Sequence, residues 1–354
     1  MLQALSNAFS NSAWPLGLMV YLLIGWVLVR PNGRIWDRLI SLLGWPVELA
    51  QRVSGATGLP YLFLLPNLLV FGLFTFAPMF INVGFSLTDG QSILFEDRVW
   101  AGNDNLERLL SPVQIDTGIE NREDDKFLAA VYDTATFVIF QVPIMVLIAL
   151  ITALALNRDI VARGLWRAVF FYPVMLSPVV VGFLWTLILK RQGLLSQYLL
   201  QWGIIDVPIQ WLTDPSWTMF WSVVVYTWAH LGFYMLILLA GLQAIPRDVY
   251  EAADMDSASP WRQLVKITIP LLAPTILVVT VLALIKAFQA FEELYAMSVR
   301  WISLVAYIFD ASGLRGQPTS HGLGIAAMAS LLVAMLLILL SLLQIYLSSK
   351  GNRA

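Results

Sequence analysis

One apolar stretch in the C-terminal third of the chain carries an unusual set of polar side chains. Within Ile269–Met297, Lys286, Gln289 and Glu293 follow i, i+3, i+7 spacing, which places them on one face of a continuous helix, and Glu292 lies beside them. Ionisable groups in an apolar helix are unfavourable unless they face a cavity, a partner or water. The set predicts a polar lining of a solute pathway, a buried Lys–Glu pair that only packs helices, or glutamates that already lie at the outer interface of the membrane.

Aromatic residues bracket this polar set. They are Phe288, Phe291 and Tyr295. Carboxylates and amides bind hydroxyl groups, while aromatic faces cover the apolar faces of a sugar ring. Together these residue types favour a polyhydroxylated solute.

A second informative segment, residues 244–270, follows another apolar run. Pro246 and the acidic Asp248 and Glu251 are typical of a helix start, and Ser259 followed by Pro260 is typical of a second one. The pattern predicts two short helices separated by a turn. This hairpin is either a linker at the membrane surface or a rigid knob that docks on a partner.

The composition indicates the solvent in which these segments lie. Of 354 residues, 59% are hydrophobic and 12% are charged, whereas soluble domains carry about 25% charged residues. The surplus of apolar residues indicates lipid. The net charge of −2 gives no basic excess for nucleic acid, and the absence of cysteine excludes disulfides and thiol chemistry.

Seven stretches are long and apolar enough to span a membrane, which takes about 20 residues. They are Pro15–Val29, Pro60–Leu87, Leu128–Leu156, Leu165–Leu189, Ser216–Leu242, Ile269–Met297 and Gly322–Leu347. The fold class is therefore an all-α, polytopic transmembrane helical bundle. The division predicted is residues 1–59, with one span and the amphipathic surface helix Arg34–Val53, and residues 60–354, the main transmembrane domain.

The loops set the orientation. Lys and Arg are more frequent in the loops 30–59, 157–168 and 243–268 and in the C-terminal tail, which places these on the cytoplasmic side, with the N-terminus outside. On the opposite side lies the acidic loop 88–127, a solvated loop, a partner surface or a calcium site.

The segment 244–270 and its neighbours also resemble a known family. The residues that carry the resemblance are Leu231–Met235, Ala240–Pro246, Tyr250–Ala253, Ile269–Leu272 and Pro274. Their order and spacing are similar to the EAA loop of ABC importer permeases, closest to the carbohydrate-uptake branch typified by the maltose permease. The resemblance spans roughly residues 60–347 and implies a six-helix permease core with an extra N-terminal span.

The resemblance implies partners and a mechanism. The loop would be the coupling helix, which docks on an ATPase subunit through Tyr250, Glu251, Ala252 and Ala253, with Asp256 and Ser257 in its turn. The partners implied are a second permease in a heterodimer, two ABC ATPase subunits and a periplasmic solute-binding protein, in a bacterial inner membrane. This chain would bind no cofactor, because ATP and Mg²⁺ would be used by the ATPase subunits.

The solute pathway that the resemblance implies includes Gln289, Glu292 and the aromatic residues beside them. It also includes Gln192 and Gly193, which interrupt the end of the fourth span. Lys286 is the lone cation of the polar set, so we expect a neutral sugar or polyol: a disaccharide, an oligosaccharide or a related solute.

Two departures from the family pattern affect the expected geometry. Ser257 stands where relatives usually have glycine, and a positive φ there costs serine roughly 1 kcal/mol. Relatives usually have a Gly/Pro-rich loop after Met297, where this chain has Ser298–Trp301.

Two other classes of protein remain open at this point. An ion-coupled secondary transporter predicts an internal repeat and intramembrane carboxylates; Glu292 and Glu293 fit the second feature, but no convincing repeat is found. A membrane enzyme such as a glycosyltransferase needs a catalytic constellation, and Asp254 with Asp256 offers only a D-x-D spacing. The chain has no Walker A or H-E-x-x-H motif, so we expect no enzymatic activity.

Overall fold

The computed structural model of the protein describes residue 44 and residues 59–90, 92–110, 123–313 and 322–351. The chain divides into two compact units, Met1–Phe80 and Ile81–Ala354. The predicted first span and, apart from Gly44, the predicted surface helix Arg34–Val53 lie outside the described residues.

The described chain is built almost entirely of helices. They are α1 (Leu59–Phe71), α2 (Ala77–Ser86), α3 (Asp104–Leu110), α4 (Glu123–Asn157), α5 (Arg163–Phe171), α6 (Pro178–Leu189), α7 (Leu194–Gln201), α8 (Pro215–Gln243), α9 (Arg247–Met255), α10 (Pro260–Gln263), α11 (Ile269–Phe288), α12 (Glu292–Ala296), α13 (Leu304–Ala311) and α14 (Gly322–Gly351). Gly72–Phe76 and Leu264–Thr268 are π-helical turns, and Phe95–Asp97 and Tyr172–Met175 are 3-10 turns. The strands β1 (Thr88–Asp89) and β2 (Val99–Trp100) form an antiparallel pair.

Six helical stretches of the described chain are long and apolar enough to cross a membrane. They are Leu64–Ser86, Phe127–Asn157, Pro178–Gln201, Pro215–Gln243, Pro260–Ala296 and Gly322–Tyr346. Many of their apolar side chains point outward; for example, Leu147, Phe183 and Ile338 are exposed. Outward apolar faces suit contact with lipid rather than water, so the predicted all-α polytopic bundle is confirmed.

The largest hydrophobic core lies between α4, α8 and α11. At one end of this core, the ring of Phe137 in α4 stacks on Trp301 at 5.1 Å and meets Tyr226 of α8 edge-on at 5.4 Å. The indole N–H of Trp301 donates to the Ser222 hydroxyl over 2.9 Å. Aromatic contacts of this kind add to the free energy gained by burial, so the loop after α12 is held against two spans.

The fourth span begins later than the sequence predicts. Instead of one helix over Leu165–Leu189, α5 ends at Phe171, a 3-10 turn follows and α6 begins at Pro178. The prediction failed because proline within a helical pattern removes a backbone donor and because α8 approaches α5 closely. A Cβ atom added at Gly232 would lie 2.4 Å from the carbonyl oxygen of Phe170.

The sixth span is broken near its end. α11 stops at Phe288, and α12 starts only at Glu292. Between them, Gln289 has φ −92° and ψ 3°, and Phe291 has φ −147° and ψ −64°, so the helical path is interrupted. The prediction that Lys286, Gln289 and Glu293 share one face of a continuous helix was therefore wrong.

A buried arginine organises the segment after α2. The Arg98 guanidinium donates to the Thr88 hydroxyl at 2.7 Å and carbonyl at 3.1 Å, and to the carbonyls of Gly90 at 2.7 Å and Ser92 at 2.8 Å. Its carbon lies 4.8 Å from the centre of the Phe85 ring. Burial lowers the pKa of the Arg98 guanidinium, and Asp89 acts in the opposite direction. The described part of the acidic loop is therefore an ordered hairpin.

Candidate functional site

The α9–α10 hairpin (Arg247–Gln263) begins with a short amphipathic helix. Pro246 occupies the N-cap position of α9, and Asp248 lies in the first turn, where the positive end of the helix dipole favours a carboxylate. At the C-terminal end, the Ala258 N–H donates to the Ala253 carbonyl over 3.0 Å, and the Ser257 N–H donates to the Asp254 carbonyl over 2.9 Å. This pair of hydrogen bonds is a Schellman motif, which ends a helix with a sharp change of direction.

Ser257 adopts the left-handed conformation that the motif demands, with φ of 54°. A side chain in this region is strained by roughly 1 kcal/mol relative to glycine. The turn is therefore present, and Ser257 is strained as the sequence predicts.

The second half of the hairpin is capped and tied to the first. The Ser259 hydroxyl accepts a hydrogen bond from the Arg262 N–H at 3.4 Å, with Pro260 in the first turn of α10. The Gln263 amide donates to Asp254 Oδ1 at 2.6 Å and to the Ala258 carbonyl at 3.1 Å. These contacts confirm the predicted cap and hold the turn between the two helices in one conformation.

A hydrogen bond joins the hairpin to the span that follows it. The hydroxyls of Tyr250 and Thr268 lie 3.0 Å apart, and Thr268 belongs to the π-helical turn that leads into α11. Because α9 and the start of α11 are connected by a side-chain contact as well as by the chain, a displacement of one acts on the other.

The hairpin presents a mixed surface to the outside. Glu251, Ala252, Asp256 and Ser257 are exposed, Tyr250 is half-buried and Ala253 is buried. Two large apolar residues that the sequence did not single out as site residues, Met255 and Trp261, are 87% and 73% exposed. Their position as large apolar residues in an otherwise polar hairpin could have identified them from the sequence. Exposed apolar anchors rimmed by charges are typical of a protein-binding surface.

The second cluster lies at the break between α11 and α12, at the end of α11 remote from the hairpin. Lys286, Gln289 and Glu292 are exposed, while Glu293 is 4% exposed. Consecutive residues of a helix point in different directions, so the two adjacent glutamates have opposite environments.

Glu293 meets His230 of α8 rather than Lys286. The imidazole Nδ1 lies 3.7 Å from Glu293 Oε1 and 3.0 Å from the Tyr226 carbonyl oxygen, and the imidazole stacks on the Tyr226 ring at 4.2 Å. Since a carbonyl only accepts, a hydrogen bond at this contact requires a proton on Nδ1. The predicted buried Lys–Glu pair is replaced by a His–Glu pair that links α8 to α12.

Helix α12 packs against α6 at a glycine. A Cβ atom added at Gly182 would lie 2.6 Å from the Ala296 Cβ and 2.6 Å from the Glu293 carbonyl oxygen. Any larger residue would separate the two helices, so Gly182 is a structural requirement of the break that the sequence analysis missed.

The predicted aromatic residues divide into two groups. Phe288 packs against the hydrophobic cores. Phe291 and Tyr295 form a cluster with Phe309 of α13, with ring centres 4.8 to 5.5 Å apart. Phe309 was not expected there, because its sequence position gives no sign that α13 folds back on α12.

Gln192 and Gly193 lie in the turn between α6 and α7. Gln192 is exposed, whereas Gly193 is buried against the end of α6. A Cβ atom added at Gly193 would lie 2.5 Å from the Ile188 carbonyl oxygen. The close packing against α6 therefore explains why residue 193 is a glycine. Gln192 is the residue of this pair that presents a side chain outward.

Comparison with known proteins shows the same architecture and sequence pattern elsewhere. Residues 124–351 match the family described as binding-protein-dependent transport system inner membrane component. The lactose transport system permease protein LacF of Rhizobium radiobacter is 32% identical over 81% of this chain and 92% of its own. The trehalose/maltose transport system permease protein MalF of Thermococcus litoralis is 32% identical over 68% of this chain and 77% of its own.

A solved structure shows a similar fold. It is the crystal structure of a bacterial alginate ABC transporter in complex with an alginate pentasaccharide-bound periplasmic protein. One of its chains has a TM-score of 0.65 and 22% identity, with 82% of this chain and 94% of that chain covered. At this identity the likeness is one of fold.

Proposed function

The chain belongs to the binding-protein-dependent transport system inner membrane components, and we propose that it forms half of the transmembrane pathway for a di- or oligosaccharide or a related polyol. It is a permease subunit of an ABC importer in the carbohydrate-uptake branch, a multi-pass protein of the inner membrane. The curated relatives named for lactose, arabinooligosaccharides and trehalose/maltose support a sugar as the solute.

The observation that carries the proposal is the rigid α9–α10 hairpin. Its Schellman turn, its Ser259 cap and the Gln263 hydrogen bonds fix its shape, while Glu251 and Ala252 remain exposed. A connector needs no such rigidity. A surface that receives force from an ATPase subunit does, because a flexible one would absorb the movement.

The assembly follows from this assignment. Two ABC ATPase subunits bind ATP and Mg²⁺ and dock on the hairpin, a second permease completes the pathway, and a periplasmic binding protein delivers the solute. This chain binds no nucleotide and has no enzymatic activity of its own. The hairpin and the C-terminus lie in the cytoplasm, and the N-terminus lies outside.

The break between α11 and α12 provides the polar part of the pathway. Gln289 and Glu292 are exposed there and offer an amide and a carboxylate to sugar hydroxyls, beside the aromatic cluster of Phe291, Tyr295 and Phe309. Lys286 and Glu292 are both exposed in this region, so one cation and one anion are available there. This balance favours a neutral solute over a phosphorylated one.

Uptake into proteoliposomes tests the proposal. The chain is reconstituted with its second permease and ATPase subunits, and binding-protein-delivered uptake of lactose and maltose is compared for wild type and Glu251→Lys. We expect ATP-dependent uptake of at least one sugar by wild type, and loss of uptake and of the bound ATPase in the variant. The control is Asp159→Lys, a charge reversal at an exposed residue outside the hairpin.

Two results would contradict the proposal. If Glu251→Lys behaves like Asp159→Lys, the hairpin is not the coupling surface. If uptake proceeds without an ATPase and collapses with an ion gradient, the chain works as a secondary transporter.

A further inference from the structure

A cavity of about 200 Å³ lies at the end of the bundle remote from the α9–α10 hairpin. It is a partly open cleft bordered by α12, the loop that follows it and α13. Its polar lining consists of Tyr295, Ser298, Trp301, Ser303 and Asp310, and apolar side chains complete the wall. All of its lining residues belong to the second unit of the chain, and the coupling function uses none of them.

The polar groups on this wall are held in fixed positions. The Tyr295 hydroxyl donates to Asp310 Oδ1 at 3.2 Å. The Ser303 hydroxyl caps α13 by accepting from the Ala306 N–H at 3.1 Å. Trp301 is fixed by its stacking on Phe137 and its hydrogen bond to Ser222. A binding site gains affinity when its groups are ordered before the ligand arrives.

The chemistry of the lining favours a polyhydroxylated ligand. A carboxylate has about four lone-pair positions, so Asp310 can accept from a ligand while it accepts from Tyr295. The serine and tyrosine hydroxyls accept and donate, and the indole edge adds an apolar contact. None of the described lining residues is cationic, so this part of the wall offers an anionic group no ion-pair partner. The volume is below the range of about 300–1,000 Å³ typical of drug-sized ligands and suits a single sugar unit.

The cavity adjoins the proposed pathway. Tyr295 follows Glu292 by three residues on α12, and residues at this spacing are neighbours on a helix surface. Tyr295 also belongs to the aromatic cluster with Phe291 and Phe309. A ligand unit in the cavity would therefore lie next to the break, on the side from which a delivered solute enters.

We propose that this cavity is a receiving subsite for one sugar unit of the incoming solute, with Asp310 and Tyr295 as its hydrogen-bonding residues. The inference rests on the proposed function and goes beyond it by assigning a second, outer contact for the solute. The subsite holds the leading sugar unit after release from the binding protein and presents it to Gln289 and Glu292.

The test compares Asp310→Asn and Tyr295→Phe with wild type in the complete reconstituted importer. Both substitutions keep the size of the side chain, and Asp206→Asn serves as a control at another exposed carboxylate. Uptake of lactose and maltose is measured against sugar concentration, together with ATP hydrolysis stimulated by the binding protein. A hydrogen bond to a charged group is worth enough to change affinity by about tenfold or more.

We expect each subsite variant to raise the apparent KM for uptake by about tenfold, with stimulated ATP hydrolysis and the Asp206→Asn control at wild-type values. Unchanged KM values in both variants, with wild type transporting normally, would overturn the subsite and leave the proposed function intact. An equal fall in uptake and ATP hydrolysis would also overturn it, because the residues would then have a structural role. If wild type imports no di- or oligosaccharide or polyol with ATP, both proposals fall.

Discussion

The imidazole Nδ1 of His230 lies 3.7 Å from the carboxylate Oε1 of Glu293, and this contact joins α8 to the short helix α12. Glu293 Oε1 is buried and has no protein hydrogen-bond partner among the described residues. The neighbouring Glu292 is exposed. The two glutamates thus offer a matched pair of positions, one buried at the break and one exposed beside it.

Replacing Glu293 by Leu should lower the thermal stability of the purified protein. The substitution removes the acidic neighbour of the His230 imidazole, whose side chain is 29% exposed, so the loss should lie below the roughly 3–5 kcal/mol of a fully buried charged pair. The double variant His230→Leu/Glu293→Leu should recover part of this loss, because groups in direct contact are coupled by about 0.5–3 kcal/mol. The measurement is the unfolding midpoint in detergent.

Glu292→Gln is the control for that prediction. We expect the unfolding midpoint to stay unchanged, because the Glu292 side chain is exposed. We expect sugar uptake to fall, because the variant loses the carboxylate proposed to bind sugar hydroxyls. Equal destabilisation by Glu293→Leu and Glu292→Gln would contradict the different roles assigned to the two carboxylates.

Gly182→Val should destabilise the packing of α6 against α12. The added side chain would meet the Glu293 carbonyl oxygen and the Ala296 Cβ, both 2.6 Å from the position of a Cβ atom. Overpacking of this kind costs about 1–3 kcal/mol. Gly164→Ala is the comparison, because nothing lies within 4 Å of a Cβ there, and alanine favours a helix by about 1 kcal/mol. We expect Gly182→Val to lower the unfolding midpoint and Gly164→Ala to raise it. Shifts in the same direction would argue against the close packing of α6 on α12.

Ser257→Gly should stabilise the α9–α10 hairpin by about 0.5–1 kcal/mol, because glycine adopts a positive φ without strain. Ser257→Ala should give no such gain, since its Cβ is retained. Hydrogen exchange at the amides of Ser257 and Ala258, which donate the two hydrogen bonds of the turn, reports the difference. Slower exchange in both variants would mean that the serine hydroxyl, not the backbone angle, limits the turn.

Arg98→Met should loosen the hairpin of β1 and β2. The substitution leaves the carbonyls of Gly90 and Ser92 and the hydroxyl of Thr88 without their donor. Burial lowers the pKa of Arg98, yet an arginine guanidinium stays protonated in proteins, so the effect should be constant from about pH 5 to 8. Protease sensitivity of this segment measures the change, and Arg108→Met, at a part-exposed ion pair with Asp89, should change it far less.

The sequence predicted the parts of the structure whose causes are local. Pro246, Ser259 and Pro260 are signals for helix starts, and the structure has α9 and α10 where they predict them. The six membrane spans of the described chain were predictable because length and hydrophobicity identify a span, although they did not predict where α6 begins or where α11 stops. The hydrogen bond between Tyr250 and Thr268 was not predictable, since no local sequence pattern indicates a side-chain contact between residues 18 positions apart.

The break in the sixth span was not predictable for a related reason. The segment Ile269–Met297 has no helix-breaking residue near Gln289. The causes lie in other spans: Gly182 admits α12, and His230 draws Glu293 inward. Periodicity assumes that a helix continues, and only the tertiary contacts show where this one stops.

The contact between Tyr250 and Thr268 makes α11 a lever arm. α11 has 20 residues and is therefore about 30 Å long at about 1.5 Å per residue. A tilt of about 10° at Thr268, carried by a stiff helix of that length, displaces Gln289 by about 5 Å. That is about the spacing between neighbouring strands in a sheet, so a small rotation at the hairpin is geometrically amplified into a much larger displacement at the far end of α11.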